Sequence, residues 1–409
     1  MRTVSHWPDE PLTFRPYIKK NPPMRRFLFY SHDCLGLGHV RRNLAIAKAL
    51  TEVSADASIL VLTAAAEAES LGVPSRVSIA KLPGPHRSDQ KVLAAAVEIF
   101  RPEVLLVDQH PFGPGGELGP ALEIIRASGG QAVLGLPDVL DDASGVELEW
   151  RGRGLFERIP QYFARVLVYG QPDVLDPVRD CGFPDALAQI TSYCGYVVSP
   201  SLGTHRASLR PYKPRARVLA TADEGDDGFP VLDAFVTAAG GAGWDATVVA
   251  GAHCPQDRRH LLRSRATVAG IMYRRFLPGL PSEFASLDAL VCMGGYNTLA
   301  EAVASGVPTV CVPRVEPSRD QLVRARAFES RGLLRLLERE ELEPERLRDE
   351  IEAGLAQGRR PAPLGLDLGG DRRAANHLYE VASRRPSLAA DEFLPIELTE
   401  KLALLAAAS

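Results

Sequence analysis

The chain lacks any apolar run approaching the roughly 18 residues that a bilayer-crossing helix needs, and Met1–Asn21 is polar and proline-rich, without the apolar core of a secretory signal. These absences predict a cytoplasmic protein with no transmembrane segment. Cysteine is sparse. Cys34, Cys181, Cys194, Cys254, Cys292 and Cys311 form no C-x-x-C pair, and Cys292 and Cys311 fall inside apolar strand-like runs, so free buried thiols are expected rather than disulfides or a zinc site. Basic residues show no surplus. With 47 Lys and Arg against 51 Asp and Glu, the net charge is −4, which gives no reason to expect a nucleic-acid footprint.

What is present is a length of 409 residues, too much for one ordinary core. Short apolar runs alternate with helix-period segments at Phe27–Tyr30, Ile59–Leu62, Val77–Ile79, Val104–Val107, Ala132–Leu136 and Val166–Tyr169. A second series follows at Val218–Thr221, Thr247–Ala250, Ile271–Arg274, Ala289–Met293, Thr309–Val312 and Leu333–Leu336. Such alternation reads as βαβ units around a parallel sheet. The pattern therefore predicts an α/β protein of two Rossmann-like domains, 25–198 and 216–385, whose parallel sheets face each other across a cleft. A tail (1–24) precedes them, and a Pro- and Ser-rich linker (199–215) joins them. The segment 386–409 is expected to form a helix that either packs back across the N-terminal domain or docks locally.

Ligands of open α/β sheets bind outside the carboxyl ends of the strands. After Phe27–Tyr30 the chain reads Ser31-His32-Asp33-Cys34-Leu35-Gly36-Leu37-Gly38-His39. Gly36 and Gly38 permit close approach of a ligand at a strand-to-helix turn. Histidine as a residue type titrates near neutrality, so His39 is a candidate to take a proton from an acceptor hydroxyl, with the holding of the turn as its alternative role. His32 and Asp33 compete as bases, and Asp108, ending the strand Val104–Val107, either orients His39 or the acceptor or caps the next segment.

The strongest signal is Leu290–Pro308, LVCMGGYNTLAEAVASGVP. An apolar strand runs into Gly294 and Gly295, then Asn297 and Thr298 open a helix whose N-terminus favours a diphosphate. Glu301 follows one turn later, placed to accept hydrogen bonds from both hydroxyls of a ribose. Beyond the next strand, Arg314 is a candidate for phosphate, and Asp320 with Gln321 for sugar hydroxyls. Gly225, Gly228 and Gly251, each after a strand of the second series, complete the donor-binding set.

These motifs carry a resemblance. Gly294–Pro308 with Asp320-Gln321 resembles the donor half of GT-B glycosyltransferases, particularly the peptidoglycan N-acetylglucosaminyltransferase group, and Tyr30–Leu50 resembles the N-terminal signature of related bacterial glycosyltransferases. Together they cover about Arg25–Arg384. The resemblance implies a nucleotide-sugar donor such as a UDP-sugar, with His39 as base or acceptor contact, Glu301 on the ribose and Gln321 on the donor sugar. It also implies no cofactor and no obligatory metal, since helix ends and side chains neutralise the leaving diphosphate in this fold. Two departures stand out. Asp223–Asp227 is acidic where relatives often have a glycine run, which would repel a diphosphate unless the carboxylates face solvent or a metal. Cys34 stands where relatives often have glycine.

The function expected is inverting transfer of a sugar to a small-molecule or natural-product acceptor. No broad apolar or basic stripe announces a lipid carrier. The rival functions are a nucleotide-sugar epimerase or hydrolase of the same fold and a non-catalytic nucleotide-sugar-binding protein. Oligomeric state is not legible.

Overall fold

The computed structural model describes residues 24–31, 37–65, 68–82, 88–199, 215–222, 227–251, 253–277, 279–361 and 365–384. The tail, nearly all of the linker, the helix expected at 386–409, most of the acidic stretch, and the candidates His32, Asp33, Gly36 and Gly225 lie outside them.

Every run read as a strand forms one. β1 (Arg25–Ser31), β2 (Ala57–Thr63), β3 (Val77–Lys81), β4 (Val104–Asp108), β5 (Gln131–Pro137), β6 (Phe163–Tyr169) and a short β7 (Thr191–Tyr193) make a seven-stranded sheet of order β3-β2-β1-β4-β5-β6-β7. The second sheet has six strands, β8 (Arg217–Thr221), β9 (Asp245–Val249), β10 (Met272–Arg274), β11 (Ala289–Cys292), β12 (Thr309–Cys311) and β13 (Arg335–Leu336), ordered β10-β9-β8-β11-β12-β13. Every pairing is parallel. Central strands such as β2 and β4 are buried along their whole length, which explains continuous apolar runs in place of alternation. In each sheet the strand order reverses once, between β1 and β4 and between β8 and β11. Those switch points are where a crevice opens at the strand ends.

Five helices position the site: α1 (Gly38–Val53), α2 (Gln256–Val268), α3 (Tyr296–Ser305), α4 (Asp320–Glu329) and α5 (Gly370–Ser383). α1 follows β1 and is buried on one face through Val40, Leu44 and Ala47. α3 starts at Gly295 and ends at Gly306, whose φ of 69° supplies the left-handed C-cap.

The return of the chain to the first domain is made by α5, inside the range expected to belong to the second. It packs on α1 and on β4, β5 and β6, while Arg25 donates to the Ala382 carbonyl (2.9 Å) and Arg373 to that of Cys194 (2.6 Å). Its buried face, Ala374, Ala375, Leu378, Val381 and Ala382, repeats at helical spacing. Cys194, Cys254, Cys292 and Cys311 are buried free thiols and Cys181 is partly exposed. Among the described residues no helix is long and apolar enough to cross a membrane.

Candidate active site

The two switch points face each other across a cleft of about 400 Å³. From the first domain it is lined by Gly38, His39, Arg41, Arg42 and Gln109, and from the second by Gly251, Gly295, Asn297, Thr298, Arg314, Asp320, Gln321 and Arg324. The approach is close at position 38, where a Cβ would stand 2.8 Å from the Asn297 amide nitrogen and would displace it.

On the first domain β1 and β4 are neighbours, so the helix start after β1 lies beside the end of β4. His39 Nδ1 is thereby 2.8 Å from Asp108 Oδ2. Asp108 is fully buried; burial alone would raise its pKa, but Arg42 and His39 together hold it below the usual carboxylate range. Arg42, itself buried, donates to both carboxylate oxygens at 2.9 and 2.8 Å. Nδ1 of His39 sits between Asp108, which only accepts, and the Arg42 guanidinium at 3.0 Å, which only donates; in the tautomer that donates Nδ1–H to Asp108, Nε2 is the acceptor. The ring keeps about a quarter of its surface exposed, toward the cleft. A buried carboxylate that fixes tautomer and orientation, with the far nitrogen open, is the arrangement of a general base.

Arg42 is held from the other side by aromatic rings. Its guanidinium lies 5.1 Å from the centroids of both Tyr169 and Tyr296, the second of which comes from α3 across the cleft. The Tyr296 hydroxyl in turn accepts from the Val197 amide (2.9 Å).

On the second domain the β11–α3 turn has the form the sequence suggested. Gly294 adopts φ 94°, a backbone that side chains strongly disfavour. Gly295, Asn297 and Thr298 open α3 toward the cleft, and the unpaired N–H groups of that first turn point at the space between the domains.

Glu301 does not reach the open cleft. Only 3% of it is exposed, and Arg41 of α1 donates to both its carboxylate oxygens at 2.8 and 2.7 Å. Burial pushes its pKa up against the pull of Arg41 and of hydrogen bonds from Ser199. In this structure Arg41 from the facing domain takes the two oxygens that the sequence reading assigns to a ribose.

Asp320 and Gln321 are likewise engaged. The Arg314 amide donates to Gln321 Oε1 (3.1 Å), and its guanidinium to Asp320 (3.3 Å). Asp320 also accepts from Arg324 (3.2 Å); burial would raise its pKa, but Arg324 and Arg314 keep it low. Arg314 is therefore paired with a carboxylate while it lines the cleft. Gly251, with φ 90°, lines the cleft as expected, whereas Gly228 caps the helix Phe229–Ala239 and is not among the lining residues.

The residues sequence reading missed are mostly cations. Arg324, 1% exposed, donates to Asp138 of the first domain (2.8 Å) and to the Gly294 carbonyl (3.1 Å). Burial works against its charge, but Asp138 and Asp320 outweigh that and raise its pKa. A second interdomain bridge runs from Ser318 and the Arg319 amide to Asp141 (2.9 and 3.1 Å). Gln109, directly after Asp108, has φ 64° and faces the cleft, a conformation uncommon for a residue of its kind and typical of functional loops. No grouping of His, Cys, Asp and Glu suited to a metal occurs among the described residues.

Two Rossmann-like domains facing across a cleft, with a His–Asp pair on one and a glycine-rich helix start on the other, have the architecture of the GT-B glycosyltransferases. Comparison with known proteins places it more closely. Residues 251–369 match the glycosyltransferase family 28 C-terminal domain, and the chain is a nucleotide-sugar-dependent glycosyltransferase. It is 26% identical over 344 residues to the UDP-N-acetylglucosamine--N-acetylmuramyl-(pentapeptide) pyrophosphoryl-undecaprenol N-acetylglucosamine transferase of Saccharopolyspora erythraea, covering 81% of this chain and 83% of that protein. The protein of the same name from Corynebacterium efficiens is 25% identical, over 77% of this chain and 84% of its own. In fold it is similar to the spinosyn rhamnosyltransferase SpnG, with a TM-score of 0.53 at 18% identity over 92% of this chain and all of that one.

Proposed function

We propose that the enzyme transfers a sugar from a UDP-sugar to a hydroxyl of a small-molecule acceptor by a single inverting displacement. The observation that carries this reading is the His39–Asp108 pair facing the first turn of α3 across the cleft. An acceptor hydroxyl beside His39 Nε2 loses its proton as its oxygen attacks the anomeric carbon. The bond to the nucleoside diphosphate breaks, and the diphosphate leaves toward the N–H groups of Gly295, Asn297 and Thr298. Attack from the face opposite the leaving group inverts the anomeric centre. Glu301 accepts the ribose hydroxyls once Arg41 releases it, and Asp320 with Gln321 meets the donor sugar. Helix N-termini and arginines supply the positive charge, so chelation of divalent metal should leave turnover unchanged. Mass spectrometry of reactions with UDP-N-acetylglucosamine, the donor named for the relatives, and a panel of hydroxylated acceptors tests this: a mass gain of one sugar supports it, and nucleotide release without glycosylated product supports hydrolysis instead.

A second reading, an acceptor presented on a lipid carrier, has its own observation. α2 carries Arg258, Arg259, Arg263 and Arg265 and exposes Leu261 and Val268, a mixture of cations and aliphatics suited to an anionic membrane surface. The relatives' names specify an undecaprenol-linked acceptor. Sedimentation with anionic and with neutral vesicles separates the two: binding to anionic vesicles alone favours the carrier.

A further inference from the structure

Each arginine facing the cleft has a carboxylate partner, and the partners differ in one respect. Arg42 is held by Asp108, whose other contact is the catalytic histidine. Arg324 is held by Asp138 and Asp320, and Arg314 by Asp320, all within a buried network that spans the domains. Arg41 is held by the one carboxylate expected to take the ribose, whereas Asp320, expected to meet the donor sugar, is shared between Arg314 and Arg324. Arg41 keeps a fifth of its side chain exposed, on the cleft, while the Glu301 it grips is 4% exposed.

The position of Arg41 gives its release a destination. It sits in the first turn of α1, next to His39, and α1 approaches α3 so closely that Gly38 abuts Asn297. Two helix N-termini therefore face the same space, and Arg41 lies about one helical turn from it, since Glu301 is four residues beyond Asn297 on α3. A guanidinium that loses its carboxylate beside a diphosphate gains a bidentate phosphate contact.

We propose that Arg41 is a donor-site residue supplied by the facing domain: it holds Glu301 while the site is empty and passes to the β-phosphate when the ribose hydroxyls take Glu301. After the exchange Arg41 is paired with a phosphate, and the Glu301 carboxylate accepts hydrogen bonds from the neutral ribose hydroxyls in place of the guanidinium. The exchange also makes occupation of the ribose pocket the event that presents a cation to the leaving group, so that donor binding assembles the site across the domain boundary. This inference rests on the ribose role of Glu301 given under the proposed function.

The test is calorimetric titration of the full-length protein with UDP and with UMP, which differ by the β-phosphate. Charge-assisted contacts of this kind are worth enough that Arg41→Ala is expected to reduce the preference for UDP over UMP by about tenfold or more, and Arg41→Lys to recover part of it. Should the alanine variant not fold, Arg41→Gln keeps a hydrogen-bond donor for Glu301 without the charge and carries the same expectation. An unchanged UDP-to-UMP ratio in a folded variant overturns the proposal. Glu301→Gln, titrated with UDP and with its 2′,3′-dideoxy analogue, tests the underlying reading separately. Full retention of the preference for UDP over that analogue removes the ribose role; loss of it, with an unchanged UDP-to-UMP ratio in Arg41→Ala, removes only the exchange.

Discussion

Nδ1 of His39 lies 2.8 Å from a carboxylate oxygen of Asp108 that no solvent reaches. In the tautomer that donates Nδ1–H to Asp108, that contact leaves Nε2 as the acceptor. Removing the ring removes the base but leaves the nucleotide side untouched. His39→Ala is therefore expected to lower kcat by about a hundred- to ten-thousand-fold with UDP affinity, read by calorimetry, within error of the parent.

Asp108 links the site to stability. Burial raises its pKa, Arg42 and His39 lower it more, and it ends below its ordinary value of 3.8. A carboxylate depressed by folding contributes stability that is complete above its unfolded pKa and is lost as pH falls through the folded one. The free energy of unfolding should thus climb with pH below about 4 and level off above it, with Asp320 acting in the same direction. Urea titrations at a series of acid pH values check this. Asp108→Asn should flatten the climb.

The pair Arg324–Asp138 is the buried charge contact between the domains, at 1% and 0% exposure. Deleting Asp138 leaves the buried Arg324 with Asp320 as its one remaining carboxylate, so the cost stays below the roughly 3–5 kcal/mol of a buried charge left with no partner. Asp138→Ala should lose about 1–3 kcal/mol in denaturant titration. The double variant Asp138→Leu with Arg324→Met should recover part of the loss, because neither charge remains unpaired.

Gly38 and Asn297 form the narrowest point of the cleft. A methyl group at position 38 displaces the Asn297 amide, which is the end of a short side chain and can move. Gly38→Ala should raise the KM for the donor several-fold by disturbing the first turn of α3. The double variant Gly38→Ala with Asn297→Ala should behave as Asn297→Ala alone, since the clash and the amide disappear together. Steady-state kinetics on the four proteins read this directly.

Much of the scaffold was legible because its signals are local. The apolar runs of β1, β2, β4 and β8 mark buried parallel strands on their own, and Gly294-Gly295 with Asn297 marks a helix start whatever surrounds it. His39 and Asp108 could be named singly, since each ends a strand or opens a helix, though only the adjacency of β1 and β4 in the sheet makes them a pair. Arg41, Arg42 and Arg324 look like surface cations in a helix period. Their roles arise from residues 66 to 260 positions away in sequence, a separation no spacing rule bridges. The same juxtaposition explains why Glu301, read as open to ribose, is closed by Arg41. The basic and aliphatic residues of α2 were visible in Arg258-Arg259-His260-Leu261-Leu262-Arg263, but which of them face outward depends on Leu262 and Ala266 being the buried pair.

The central claim is that His39, oriented by Asp108, drives displacement of a nucleoside diphosphate held across the cleft. The most direct measurement is the anomeric configuration of the product formed from an α-linked UDP-sugar, determined by NMR for the parent protein and for His39→Ala. A β-linked product from the parent and none from the variant is the expected result. An α-linked product, or an equal yield from the two proteins, would contradict it.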